Sequence, residues 1–248
     1  MRFIARLDIK WPNLIKGIHL EGLRIVGDPS EYAYKYYKQY VDEIIYMDSV
    51  ASLYERNSLL ELITDVSKNI FVPMTVGGGI RSVDDAKKIL RSGADKIAIN
   101  TAAIKRPEII KELAETYGSQ CVVLSIEAKR KDDNWIAYSD NGREKSIYNV
   151  REWAEKGERL GAGEILLTSV DQDGTQKGFD VELNKKISEA VNIPVIASGG
   201  MGSLDDIGIL YKSTKVDAIS VASMLHYKKT DLSKIRSYAR ENSIPIRG

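Results

Sequence analysis

Two acidic residues stand where short apolar runs end: Asp8 closes RFIARLD and Glu127 closes CVVLSIE. A pair of carboxylates held apart can supply one proton donor and one acceptor to a ligand between them; carboxylates merely solvated in loops are the competing reading. Other runs end in small, amide or hydroxyl residues. These are Gly77, Gly78 and Gly79; Asn100 and Thr101; Ser198, Gly199 and Gly200; and Ser223. Glycine admits close backbone approach to a ligand, and N–H groups at loop–helix junctions bind phosphate. Two such clusters would suit a long substrate with a phosphate at each end, whereas tight turns alone would also use glycine. The segment SVDQDGT adds Asp171, Asp173 and Gly174, with Asp173 suited to a substrate hydroxyl or amine, or to capping its own turn. Lys16, in the loop-like stretch WPNLIKGIHLEG, can close over a phosphate or remain solvated.

Such residues need elements to hold them. Eight strand-length apolar runs alternate with amphipathic segments: RFIARLDIK, DEIIYMDSV, FVPMTVGG, KIAINTAA, CVVLSIEAK, EILLTSVD, IPVIASGG and AISVASML. Alternation of this kind requires parallel strands and crossover helices. Eight units in 248 residues predict a single (β/α)8 barrel domain over residues 1–248. An open doubly wound sheet would begin with a dinucleotide fingerprint, which LDIKWPNLIKG is not. Ser82 before VDDAKKIL is placed to cap a helix that Gly93 stops, and Ser203 before LDDIGIL repeats the pattern.

The halves also repeat. Pro73 and Pro194 are 194 − 73 = 121 apart, Glu43 and Glu164 are 164 − 43 = 121 apart, Asp95 and Asp217 are 122 apart, and Asp8 and Glu127 are 119 apart. The chain therefore reads as two half-barrels, about 1–118 and 119–248. Closure places the first and fifth strands opposite each other, so Asp8 and Glu127 face across the C-terminal mouth, where barrel active sites lie. Period-two alternation then turns Arg2 inward at the base, near Glu43, Lys96 and Glu164 at the starts of other strands. Four mixed charges there form either a stabilising ring or a gate, and a buried ring is costly as mere structure.

Composition excludes several classes. With 36 basic and 35 acidic side chains the net charge is +1, against a nucleic-acid binder held by bulk charge. No apolar stretch is long enough to span a membrane, and MRFIARLDIK lacks a signal-peptide pattern. The lone Cys121 cannot form an internal disulfide and reads as an inert buried thiol, so a cytoplasmic setting is expected. His19 and His226 lack metal-ligand spacing. The tyrosines of EYAYKYYKQY (Tyr32, Tyr34, Tyr36, Tyr37 and Tyr40) suit either an interface or packing on the outer wall.

The motifs RLDIK, LIKG, GDP, TVGGGIRS, GADKIAINTAA, GAGEILLTSVDQDGT, DGTQKGFD and IPVIASGG together resemble the cyclase subunit of imidazole glycerol phosphate synthase, the HisF family, over nearly the whole chain. That resemblance implies a barrel forming a heterodimer with a glutaminase (HisH-like) subunit at its base. Ammonia from the glutaminase crosses the barrel and meets a bisphosphorylated ribulosyl formimino aminoimidazole carboxamide nucleotide at the mouth. The products are imidazole glycerol phosphate and aminoimidazole carboxamide ribotide. It implies no metal or redox cofactor. Asp8 matches the family's first catalytic aspartate, Lys16 its loop lysine, and Arg2, Glu43, Lys96 and Glu164 its gate. Gly79, Asn100, Thr101, Gly174, Gly200 and Ser223 match phosphate contacts, and Asp48, Thr75, Thr168, Asp173 and Ser198 match mouth residues.

Two departures stand out. Glu127 replaces the second aspartate, and Arg6 replaces a small residue, often cysteine. By alternation Arg6 points into the barrel below Asp8, where it needs a carboxylate partner, Asp8 or Glu127. Pairing lowers that partner's pKa, disfavours it as a general acid, and narrows any ammonia passage. The departures motivate an alternative: a paralogue relaying glutaminase-derived ammonia to a third protein in acetamidino-sugar (surface polysaccharide) synthesis.

Overall fold

The computed structural model describes residues 1–49 and 57–247. It begins with β1 (Arg2–Lys10), β2 (Asn13–Ile18), β3 (Glu21–Gly27), α1 (Pro29–Lys38), β4 (Glu43–Asp48), α2 (Asn57–Ser67), β5 (Met74–Gly77) and α3 (Val83–Arg91). Next come β6 (Lys96–Ile99), α4 (Thr101–Lys105), α5 (Glu108–Tyr117), β7 (Val122–Lys131), β8 (Asn134–Ser139), β9 (Glu144–Asn149), α6 (Val150–Arg159) and β10 (Glu164–Ser169). The chain finishes with α7 (Val181–Ser188), β11 (Val195–Ser198), α8 (Asp205–Ser213), β12 (Ala218–Val221), α9 (Ser223–His226) and α10 (Leu232–Glu241).

Eight parallel strands close on themselves in the order β1–β4–β5–β6–β7–β10–β11–β12, with β12 pairing back to β1. This is the (β/α)8 barrel that the alternating pattern predicts. Three strands separate β1 from β7 in either direction, so the two are diametrically opposed. Both are long, and each continues into an antiparallel hairpin over the mouth, β2–β3 from β1 and β8–β9 from β7. WPNLIKGIHLEG is thus mostly hairpin rather than loop, and its reversal uses left-handed His19 and Leu20. Neither residue is a usual signal for such a turn, so the alternation on each side was masked.

Period-two alternation sorts the strand side chains. Phe3, Ala5, Leu7 and Ile9 of β1 join the core between strands and helices. Ile4 instead joins Ile45, Ala98, Val123, Leu166, Ile196 and Ala218 in a separate apolar layer filling the barrel lumen.

The two halves repeat at the level of backbone geometry. Asp95 accepts a hydrogen bond from Met74 N at 2.8 Å, and Asp217 accepts one from Val195 N at 3.0 Å. Asn100 (φ −133°, ψ −80°) and Ala222 (φ −125°, ψ −82°) precede the short helices α4 and α9 in nearly the same uncommon conformation. Gly78 and Gly199 both have positive φ. A Cβ on Gly78 would stand 2.5 Å from Asp48 O, and one on Gly199 would stand 2.8 Å from Ser169 O. The residues 48 and 169 are again 169 − 48 = 121 apart.

Several local expectations meet different outcomes. Ser82 Oγ accepts from Asp85 N at 3.2 Å and caps α3, and Gly93 follows the helix end with φ +115°. Ser203 does not cap α8. That helix starts at Asp205, and Asp206 reaches back to accept from Gly202 N and Ser203 N, both at 2.8 Å. Leu204, at the cap position, is itself in helical conformation (φ −67°, ψ −33°), and no side chain caps the helix. Cys121 is half-buried rather than fully buried, and burial pushes its thiol pKa up. Tyr36 is buried on the outer wall, its hydroxyl 2.7 Å from His226 Nδ1, whereas Tyr34 and Tyr40 are exposed.

The cap difference gives a paired expectation. Ser82→Ala should lower unfolding free energy by about 1 kcal/mol, within the range for lost N-caps. Ser203→Ala should cost well under half of that. Urea melts of the two variants measure both, and equal losses would contradict the assignment.

Candidate active site

The inward residues of β1 stack upward from base to mouth as Arg2, Ile4, Arg6 and Asp8. At the base Arg2 donates to Glu43 and to Glu164, both at 2.6 Å. Lys96 donates to the same two carboxylates at 3.0 and 2.8 Å. The four side chains make a closed square of alternating sign, each charge touching two of opposite sign. Above it lies the apolar lumen layer, and above that sits Arg6.

Arg6 is buried with three bonds. Its Nε donates to Asp8 Oδ1 at 2.8 Å, and its Nη1 donates to Thr168 Oγ1 at 2.8 Å and Ser198 Oγ at 3.2 Å. Of the two partners expected from sequence, Asp8 is the bonded one. The other Asp8 oxygen lies 3.5 Å from Lys16 Nζ, which binds both oxygens of Asp173 at 2.7 and 3.0 Å. Lys16 is only 2 % exposed, so it is no solvated loop lysine, and Asp173 serves the lysine rather than capping its turn. Arg6, Asp8, Lys16 and Asp173 thus form a buried chain with two positive and two negative ends.

The chain fixes the protonation of Asp8. Burial alone would raise its pKa, but the Arg6 charge, then that of Lys16, and the Arg6 hydrogen bond hold it below the ordinary carboxylate value. Glu127, opposite, goes the other way. Burial pushes it up to about 7 against the Gly142 N–H at 2.7 Å and the more distant Arg6 charge. Two carboxylates on one mouth are therefore separated in protonation by their surroundings, the pattern that divides acid from base.

Both expected anion cradles line the mouth, but unequally. A cavity of about 720 Å³ is lined by Gly78, Gly79, Asn100, Thr101 and Glu127, with Asp48 also on its wall. The other cradle, with Gly174, Ser198, Gly199, Gly200 and Ser223, encloses only about 10 Å³, and Lys16 and Asp173 are among its lining residues. Arg6 borders both. In the larger cavity Asn100 Nδ2 donates to Tyr138 O at 3.0 Å, and Thr101 Oγ1 accepts from Asp140 N at 3.0 Å. Thr75 is buried and its hydroxyl has no hydrogen-bond partner among the described residues. Sequence reasoning missed Gly142, although its Asp140-Asn141-Gly142 run is a strong hairpin-turn signal. The Arg6 bonds to Thr168 and Ser198 were not readable at all, since they join three distant strands.

Residues 2–231 match the family model described as histidine biosynthesis protein. An imidazole glycerol phosphate synthase subunit HisF of Legionella pneumophila is 64 % identical over 207 residues, covering 83 % of this chain and 98 % of that protein. The HisF subunit of Hydrogenobaculum sp. (strain Y04AAS1) is 47 % identical, covering 99 % and 98 %. That of Lactococcus lactis subsp. lactis (strain IL1403) is 46 % identical, covering 99 % and 96 %. The chain belongs to the HisF family. HisF relatives are subunits of a histidine-biosynthetic enzyme, and the barrel described above is covered almost end to end by two of these alignments.

In this HisF-family chain, the Glu127 environment makes stability depend on pH. Its folded pKa of about 7 lies above the ordinary 4.5. A raised acid favours the fold below its unfolded pKa and loses that contribution as pH climbs through the folded value. The loss between about pH 4.5 and pH 7 is on the order of 3 kcal/mol. Glu127→Gln, always neutral, should escape it. Denaturant melts should therefore show the variant gaining on the parent from pH 4 to pH 8, and a constant difference across that range would refute the raised pKa.

Proposed function

We propose that this chain is the cyclase subunit of an imidazole glycerol phosphate synthase. It would take ammonia from a glutaminase docked at the base and use it at the mouth. The substrate would be the bisphosphorylated ribulosyl formimino aminoimidazole carboxamide nucleotide. One observation carries the reading: Asp8 and Glu127 rise from opposed strands to a shared mouth with their protonation driven apart. Cleavage of that substrate needs a proton delivered to the departing nitrogen, and ring closure needs one removed. Glu127, titrating near neutrality, is suited to deliver a proton. Asp8, held ionised, is suited to accept one or to stabilise developing positive charge. The two glycine-bearing cradles would anchor the two phosphates, with Lys16 released from Asp173 to reach one of them. The square of Arg2, Glu43, Lys96 and Glu164 would be the entrance for ammonia.

A second reading draws on one observation of its own. Arg6 ties up Asp8, Thr168 and Ser198 in the middle of the mouth, which favours a relative that passes ammonia to another protein without performing the cyclisation.

Purified protein supplied with an ammonium salt and the bisphosphate substrate separates them. The cyclase reading expects turnover without the glutaminase, with kcat/KM falling as pH rises past about 7 and Glu127 loses its proton. It also expects a drop of about a hundredfold or more for Glu127→Gln, in the range of general-acid catalysis. Binding without turnover would favour the relay.

A further inference from the structure

The mouth carries a second polar arrangement, beside the carboxylates. The β8–β9 reversal places Asp140, Asn141 and Gly142 successively in left-handed conformation, with φ of 52°, 59° and 76°. Besides the bonds Arg143 makes within the hairpin, three hydrogen bonds join this turn to other described elements of the mouth. Asp140 N donates to Thr101 Oγ1 at 3.0 Å in the larger cradle, and Gly142 N donates to Glu127 at 2.7 Å. Asn141 Nδ2 donates to Leu20 O at 3.4 Å, reaching the tip of the β2–β3 hairpin from the opposite side of the barrel.

That tip is itself clamped. His19 N donates to Asp173 O at 2.8 Å, and His19 Nδ1 lies 2.9 Å from Val170 O. Leu20 is buried and, with Val170, lies against Gly142: a Cβ added to Gly142 would meet Leu20 Cδ1 and Val170 Cγ1, each at 3.4 Å. The same hairpin brings Lys16 to Asp173. One element thus touches both ends of the candidate acid–base apparatus, Asp8 through Lys16 and the Glu127 donor through Leu20.

We propose that Leu20 and Asn141 are positioning residues that press the Asp140–Gly142 turn onto Glu127, so that docking of the β2–β3 tip fixes the Gly142 N–H on that carboxylate. The role of this device in catalysis rests on the cyclase reading; its existence does not. A donor aimed at the ionised carboxylate favours ionisation, so loosening it raises the Glu127 midpoint, whereas admitting water lowers it. The charged groups around Glu127 are Arg6 and Asp8 from β1, Asp140 from the turn itself, and Asp48, Arg81, Lys105, Arg106 and Glu144 along the same cavity. The residues beside it on neighbouring elements are the uncharged Asn100 after β6, Thr168 of β10 and the tyrosine Tyr138 of β8. Leu20 and Asn141 carry no charge, so replacing them changes the donor without changing this field.

The test uses the full chain without substrate, so its failure is distinct from failure of the cyclase reading. The Gly142 amide resonance, followed by ¹⁵N NMR across pH, reports both its hydrogen bond and the Glu127 midpoint. In the parent it should titrate near pH 7 and exchange slowly. Leu20→Ala and Asn141→Gly should each speed its hydrogen exchange about tenfold and raise the midpoint by about half a unit or more. Leu20→Met should restore both. Ile147→Ala, on the exposed face of β9, should change neither. Should Leu20→Ala fail to fold, Asn141→Gly decides alone. Unchanged exchange and midpoint, or a midpoint that falls, would overturn the proposal.

Discussion

The chain Arg6–Asp8–Lys16–Asp173 is the constraint on which the mouth is organised. Charges removed from water are tolerated only when matched, and breaking one partner away leaves the others uncompensated. Here two cations and two anions from β1, β2 and the segment after β10 balance within one contiguous set. The balance keeps Asp8 ionised, because a neutral Asp8 would leave Arg6 and Lys16 in excess. Glu127 has no bonded cation among the described residues and responds to burial instead. The different behaviour of the two acids thus follows from where the guanidinium at position 6 makes its bond.

Barrel closure supplies the second condition. β1 and β7 oppose each other only because eight strands close, and both extend beyond the barrel into hairpins that meet over the mouth. The duplicated backbone features at Gly78 and Gly199, and at Asn100 and Ala222, show how alike the two cradles are in construction. Their unequal volumes arise from what lies over them. The Lys16–Asp173 contact closes one, while the other remains a broad cavity.

Much of this was legible in the sequence. Strand alternation, the 121-residue repeat, and Arg2, Glu43, Lys96 and Glu164 at strand starts carry short-range or periodic signals, and each led to the observed arrangement. Ser82 was readable for the same reason, whereas Ser203 was not, because the chain at Leu204 is already helical and α8 starts at Asp205 without a side-chain cap. The inward side of Arg6 followed from period two, but the choice of Asp8 over Glu127 depended on angles that no spacing encodes. Lys16 looked loop-borne because His19-Leu20 is an unusual reversal. Burial of Glu127 and its Gly142 donor arise from a hairpin folding back over its parent strand, a tertiary effect absent from local composition.

The aliphatic girdle of Ile4, Ile45, Ala98, Val123, Leu166, Ile196 and Ala218 stands between the basal charges and the charged groups of the mouth as a layer without polar side chains. A hydrated ion would have to shed its water to cross it, at a self-energy of several kcal/mol, while an uncharged small molecule sheds far less. Proton exchange along the lumen between the basal side chains and the rim is therefore disfavoured, although the same low-dielectric layer leaves their electric fields poorly screened from one another.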